Sequence, residues 1–167
     1  MPSMKFATTL IQTSFESPLG RLILAASAGH LVGVWFDGQR HQPDTSHWPE
    51  KPDHPVLQRA KSQLHDYFAG HRKAFDLPLD FGQGTAFQQA VWHALQEIPC
   101  GTTSTYGALS AALGRPTAGR AVGGAVGRNP LSVVLPCHRV MGANGTLTGY
   151  AGGLARKTAL LQLEGVL

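Results

Sequence analysis

Cysteine, charge and long apolar runs are all scarce in this 167-residue chain, and each shortage excludes something. Two cysteines, Cys100 and Cys137, are too few for a disulfide scaffold. Charged residues make up 14% against 43% hydrophobic, which excludes a disordered polyelectrolyte and leaves material for a core of one domain or two small ones. No apolar run approaches the roughly 18 residues of a membrane span, so no membrane partner is expected. The opening Met1-Pro2-Ser3-Met4-Lys5-Phe6 lacks the apolar stretch of a secretory signal, and the expected address is the cytoplasm. Acid is scarcest in one place. Beyond residue 100 there is a single carboxylate, Glu164, against six cations: Arg115, Arg120, Arg128, Arg139, Arg156 and Lys157. The first hundred residues set eight cations against nine acids, so the whole positive excess lies in the last 67 residues, with 13 of the 20 glycines. A basic, glycine-rich half suits close approach to a polyanion; a solvated basic face is the alternative.

The pattern of residues divides the chain in two. Residues 8–15, 21–26 and 31–36 read as strands of a small antiparallel meander, with Ser17-Pro18-Leu19-Gly20 supplying turn chemistry. A proline-spaced loop over 37–55 precedes a helix over 56–69, with Leu57, Ala60, Leu64 and Phe68 on one stripe and Gly70 as its stop. A linker with one extended piece, 75–81, leads to a boundary near residue 83, giving expected domains 1–82 and 83–167. The second is helical. Thr85 with Gln88 fits a capping box ahead of the stripe Phe87, Val91, Leu95 and Ile98. Helices over 104–113 and 117–127, joined by Gly114-Arg115-Pro116, form a helix-turn-helix. The fold class is therefore α+β. The second of these helices carries Gly119, Gly123, Gly124 and Gly127, each costing about 1 kcal/mol relative to alanine. Either a neighbouring helix packs tightly there, or the helix presses into a nucleic-acid groove with Arg120 projecting.

The chemistry concentrates in Pro136-Cys137-His138-Arg139-Val140. A cysteine in an apolar segment is commonly a small buried hydrophobe. Here His138 and Arg139 follow directly, and both can favour a nucleophilic thiolate. No second cysteine or histidine stands at zinc-ligand spacing, and His30, His41, His47, His54, His65, His71 and His93 form no ligand-like group, so no metal is expected.

These five residues, together with Arg120-Ala-Val-Gly-Gly-Ala-Val-Gly-Arg-Asn129-Pro130, Gly149-Tyr150-Ala-Gly-Gly153 and Leu160-Leu161-Gln-Leu-Glu164-Gly165, resemble the O6-alkylguanine-DNA alkyltransferases, also called methylated-DNA–protein-cysteine methyltransferases. The resemblance covers nearly all of residues 83–167. It implies a ribonuclease-H-like first domain, then a helical alkyl-acceptor domain. It also implies irreversible transfer of an alkyl group from guanine O6, with thymine O4 as a second candidate donor, to a cysteine that is used once, without a cofactor. On this resemblance Cys137 is the acceptor, His138 the base reached through a water, and Glu164 its orienting carboxylate. Asn129 ties the recognition helix to the active-site turn. Arg120 enters the duplex in place of a flipped nucleotide, Tyr106 helps to rotate that nucleotide, and Arg115, Arg128, Gly123 and Gly124 meet the DNA. Pro136, Val140, Tyr150, Ala151 and Gly152 shape the pocket, with the Val140 carbonyl accepting from the base and the Ala151 amide donating towards O6. The implied partner is alkylated double-stranded DNA, met in its minor groove by a monomer.

Departures from the family pattern are few. Ala151 stands where some relatives have serine, so only its backbone amide carries over. Cys100 matches no functional position and reads as structural. Arg156 and Lys157 are left as candidates for phosphate contact. The competing reading is a non-enzymatic helix-turn-helix protein that binds lesions without repairing them; such proteins lack the acceptor cysteine that this chain has at Cys137. A plain helix-turn-helix repressor would need several base-reading side chains where this helix offers Arg120.

Overall fold

The computed structural model describes residues 9–167, so the opening hexapeptide and the first residue of the expected first strand lie outside it. Three strands, β1 (Ile11–Ser17), β2 (Gly20–Ser27) and β3 (His30–Phe36), form an antiparallel meander in sequential order. β1 runs two residues further than the apolar pattern predicts, because its turn closes on the Ser17–Gly20 pair. The Ser17 hydroxyl donates to the Gly20 carbonyl at 2.6 Å and accepts the Leu19 amide at 3.1 Å. The β2–β3 hairpin closes through Ala28 and Gly29, both at positive φ, the backbone that two-residue hairpin turns require.

One face of the sheet packs Leu22, Leu24, Val34 and Phe36 against α1 (Pro55–Phe68), which contributes Leu57, Ala60, Leu64 and Tyr67. The other face buries Ile23, Ala25, Val32 and Trp35 with Leu10, partly covered by Trp48. α1 begins with a proline, which has no N–H to lose in a first turn, and ends before Gly70 at positive φ.

The free edge of β3 positions the rest of the chain. Its Leu31 amide donates to the Pro78 carbonyl at 2.7 Å, holding the expected extended piece. Further along, the Val34 amide donates to the Pro130 carbonyl at 2.8 Å and the Ser132 amide donates to the Val34 carbonyl at 2.9 Å. The sheet therefore grips the segment that leads to Cys137. One apolar cluster runs through both halves, from Leu22 and Leu57 to Trp92, Leu135 and Leu160.

The helices of the second half are α2 (Ala86–Gln96), α3 (Tyr106–Ala112), α4 (Gly119–Gly127) and α5 (Leu154–Leu163). The capping box forms as expected: the Gln88 amide donates to the Thr85 hydroxyl at 3.1 Å, and the Thr85 amide to the Gln88 side chain at 3.0 Å. α2 stops two residues early because Glu97 and Ile98 bond three residues back, tightening the chain ahead of Pro99. α3 also starts two residues late. Ser104–Thr105 (β4) pairs in parallel with Val140–Met141 (β5), a long-range contact that removes those residues from the helix. α4 starts at Gly119 rather than Thr117, with no side chain capping it. The α2–α4 contact is fixed by the Trp92 indole, which donates to the Ala125 carbonyl at 2.9 Å. No helix among the described residues is long and apolar enough to cross a membrane.

Candidate active site

Cys137 opens a single 3₁₀ turn, Cys137–Arg139, inside a stretch buried from residue 129 to 142. Asn129 staples this stretch. Its Nδ2 donates to the Leu135 carbonyl at 2.8 Å and its Oδ1 accepts the Leu131 amide at 2.9 Å. Between them Val133 sits at φ +72°, a conformation that strains a β-branched residue by about 1–3 kcal/mol and persists only where neighbours enforce it. Asn129 and the β3 edge do the enforcing.

Burial pushes the Cys137 thiol up to about 11, against smaller lowering influences from Asn129 and the Lys157 charge. This corrects the expectation that His138 and Arg139 both favour a thiolate. Arg139 is turned away: its Nε and Nη2 donate to the two Glu164 oxygens at 2.7 and 3.0 Å, and its Nη1 to the Ile98 carbonyl at 2.7 Å. At neutral pH the sulfur carries its proton, so it needs a base.

The group next to it in sequence is His138. It is fully buried, and burial lowers its pKa despite the opposing pull of Glu164. Its Nε2 lies 2.7 Å from Glu164 Oε2. Burial would raise the Glu164 carboxyl, but hydrogen bonds from His138, Arg139 and Tyr67 together hold it down at about 2. An ionised carboxylate only accepts, so the proton of neutral His138 sits on Nε2 and Nδ1 keeps its lone pair. That Nδ1 is buried and bonds to no described residue.

Two cations expected to remain available for phosphate are instead internal. Lys157 is fully buried, and its Nζ donates to the Val140 carbonyl at 2.6 Å and the Thr148 carbonyl at 3.0 Å. Arg156 stacks over Phe36 at 4.5 Å and donates to the Leu19 and Gly152 carbonyls at 2.9 and 3.2 Å. It locks the 149–153 loop to the sheet. Gly152 is needed there, since a Cβ would stand 2.7 Å from the Tyr150 ring and 3.1 Å from Phe36.

Cys137 opens on a cleft of about 580 Å³. The expected residues Tyr106, Gly123, Gly124, Arg128, Tyr150 and Ala151 line it, joined by Arg40 and His41 from the loop after β3. The Arg40 amide donates to the Ala151 carbonyl at 3.1 Å, so this loop forms part of the wall. Tyr106 accepts a hydrogen bond from Thr148 at 3.3 Å. Val140, Pro136 and Gly152 do not line it in the free protein, and Pro136 faces a second hollow that contains Cys100. Arg120 is exposed in the first turn of α4, and Arg115 is exposed beside the Phe87 ring.

The glycines of α4 now have an explanation. A Cβ at Gly119, Gly124 or Gly127 would meet nothing within 4 Å, and at Gly123 only the Tyr106 ring at 3.9 Å. No neighbouring helix requires them to be small. Their flat face is turned outward, beside the cleft.

The sequence gives no sign of three contributors, Tyr67, Arg40 and His41, and it suggests a different task for Lys157. Tyr67 lies outside the expected stripe of Leu57, Ala60, Leu64 and Phe68, and no local signal marks its hydroxyl, which reaches Glu164 Oε2 at 2.5 Å.

Comparison with known proteins matches the geometry. Residues 10–81 match the family described as "6-O-methylguanine DNA methyltransferase, ribonuclease-like domain", and residues 86–166 its "DNA binding domain". The chain is 44% identical over 158 residues to the methylated-DNA–protein-cysteine methyltransferase of Haemophilus influenzae, covering 94% of this chain and 87% of that protein. It is 48% identical over 152 residues to that of Methanosarcina acetivorans, covering 90% and 96%. Among solved structures, Mycobacterium tuberculosis O6-methylguanine methyltransferase superposes with a TM-score of 0.85 at 45% identity, covering 93% of this chain and 92% of that one. The M. tuberculosis protein OGT in complex with DNA gives 0.83 at 44% identity, covering 93% and 91%.

Proposed function

The chain belongs to the 6-O-methylguanine DNA methyltransferase family, and on that premise we propose how its residues carry out direct-reversal DNA repair, the transfer of an alkyl group from DNA to a cysteine. Cys137 is the acceptor. The observation that carries this is a buried thiol on a cleft wall, next in sequence to a neutral histidine whose tautomer Glu164 fixes. His138 Nδ1 takes the thiol proton, through a bridging water. The Cys137 sulfur bonds to the alkyl carbon as the carbon–O6 bond breaks, and the electron pair stays with the purine. Overall the thiol proton ends on the released guanine, and the thioether is permanent, so each molecule acts once.

The substrate base has to leave the stack to reach a sulfur this deep, at a cost of a few kcal/mol. Arg120, exposed at the start of α4, fills the vacated space. Tyr106 and Tyr150 flank the base in the cleft, and the Ala151 amide polarises O6 as charge develops on it. The Val140 carbonyl, already accepting from Lys157, has a second lone pair for the base. The open glycine face of α4 lies in the minor groove, with Arg115 and Arg128 at phosphates, and the protein works in the cytoplasm as a monomer.

Incubation with duplex DNA carrying labelled methyl on guanine O6 tests this. Label moves to the protein at about one equivalent and stops, as a single acceptor requires. Sustained turnover, or transfer by Cys137→Ser, would refute the assignment.

A further inference from the structure

Glu164 is served by an element from the other half of the chain. Its side chain is 1% exposed, and three residues donate to its two oxygens. Arg139 and His138 come from the active-site turn. The third donor is Tyr67, 97 residues away on α1, whose hydroxyl lies 2.5 Å from Oε2, the same oxygen that holds His138 Nε2. Tyr67 is 2% exposed and its ring is fixed between Phe68 and Phe75, at centroid distances of 5.2 and 5.4 Å. A carboxylate cannot donate, so the hydroxyl must; burial and the Glu164 charge both raise its own pKa and keep that proton in place.

We propose that Tyr67 is a positioning residue for the alkyl transfer, holding Glu164 Oε2 and drawing off part of its negative charge, and so setting the basicity of His138. This rests on the alkyl-transfer reading above. Three donors share this oxygen, since Arg139 Nη2 also reaches it at 3.0 Å, and they compete for the same charge. The more the hydroxyl takes, the less remains to stabilise an imidazolium, and the lower the pH at which His138 is free to accept a proton.

The other groups that face this network are Arg139 and Cys137 on the turn, Lys157 on α5, Tyr150 in the 149–153 loop, whose hydroxyl burial holds protonated, and Cys100 with Lys73 behind it. Burial raises both thiols, and Glu164 is ionised far below neutrality. The acid limb of the reaction therefore belongs to His138.

The test is the single-turnover rate of methyl transfer from O6-methylguanine DNA across pH 5 to 8. It is read for the unaltered protein, for Tyr67→Phe, and for protein with 3-fluorotyrosine placed at position 67. Phenylalanine keeps the ring packing and removes the donor, so the acid limb moves up by about half a unit; at the original midpoint the rate falls to about a quarter of its plateau instead of a half. The more acidic fluorophenol donates more strongly and moves the limb down. A shared acid limb in all three proteins, whatever their plateau rates, overturns the proposal, because a purely structural tyrosine changes rate without changing the limb. Should Tyr67→Phe not fold, the fluorotyrosine protein, which keeps every bond of the network, decides alone. If the unaltered protein leaves no methyl on Cys137, the alkyl-transfer reading itself fails; if it does and the limbs coincide, only the role of Tyr67 fails.

Discussion

Lys157 Nζ donates to the Val140 carbonyl at 2.6 Å, three residues along the chain from the nucleophile. A fully buried ammonium is costly unless it is hydrogen-bonded, and Lys157 meets that cost with the Val140 and Thr148 carbonyls. Burial lowers its pKa and the Cys137 charge opposes that lowering, which is the same electrostatic link that favours thiolate on Cys137.

Replacing Lys157 with Met therefore acts on the chemistry as well as on the fold. Methionine fills most of the volume but leaves two buried carbonyls short of a donor, at about 1–3 kcal/mol each. The Cys137 thiol rises further, and the rate of benzyl transfer from free O6-benzylguanine to Cys137 falls at least tenfold at pH 7. Titration of the thiol by its ultraviolet absorbance, together with denaturant melts, separates the two effects.

Glu164 makes the fold sensitive to acid. Its folded pKa of about 2 lies below the unfolded value of about 4.3, so its contribution is complete above pH 5 and is lost as pH falls towards 2. Glu164→Gln removes the charge while the Arg139 guanidinium stays buried, and leaving a buried charge uncompensated costs about 3–5 kcal/mol. Melts from pH 7 to pH 2 should show a lower, flatter stability curve for the variant between pH 5 and 2 than for the unaltered protein.

Much of this arrangement was visible in the residues before any coordinates. The meander, the Thr85–Gln88 cap and the helix pair follow from local patterns, because turn chemistry and helical stripes are short-range. The resemblance at 136–140 and 160–165 points to Cys137, His138 and Glu164. What failed was burial. Arg156 and Lys157 read as solvent cations since a sequence states charge and not the packing of Phe36 over one or two carbonyls beneath the other. Tyr67 and the β3 edge are illegible for the same reason, as their partners lie far away in sequence, Glu164 from Tyr67 and Pro78, Pro130 and Ser132 from β3.

Arg120 separates the DNA from the chemistry. It is exposed on α4 and does not line the cleft, so Arg120→Ala leaves the pocket intact. Transfer from methylated duplex falls at least tenfold, while reaction with free O6-benzylguanine changes less than twofold. A matched loss on both substrates would mean that the side chain serves the pocket.

Gly124 offers the sharpest test of the α4 surface. A Cβ there meets nothing within 4 Å in the free protein, and alanine is favoured over glycine in a helix interior by about 1 kcal/mol. Gly124→Ala is therefore expected to raise the melting temperature. If the flat face is the one that enters the groove, the same methyl group obstructs the duplex, and affinity for DNA falls severalfold. Few substitutions stabilise a fold and weaken its binding at once. Gly119→Ala, at the other end of the open face, should behave alike, and a stabilised variant with undiminished DNA affinity would mean that the glycines face solvent in the complex as well. Salt provides the control. The slope of log Kd against log salt counts phosphate contacts, so it stays unchanged in Gly124→Ala and shrinks by about one in Arg115→Ala or Arg128→Ala.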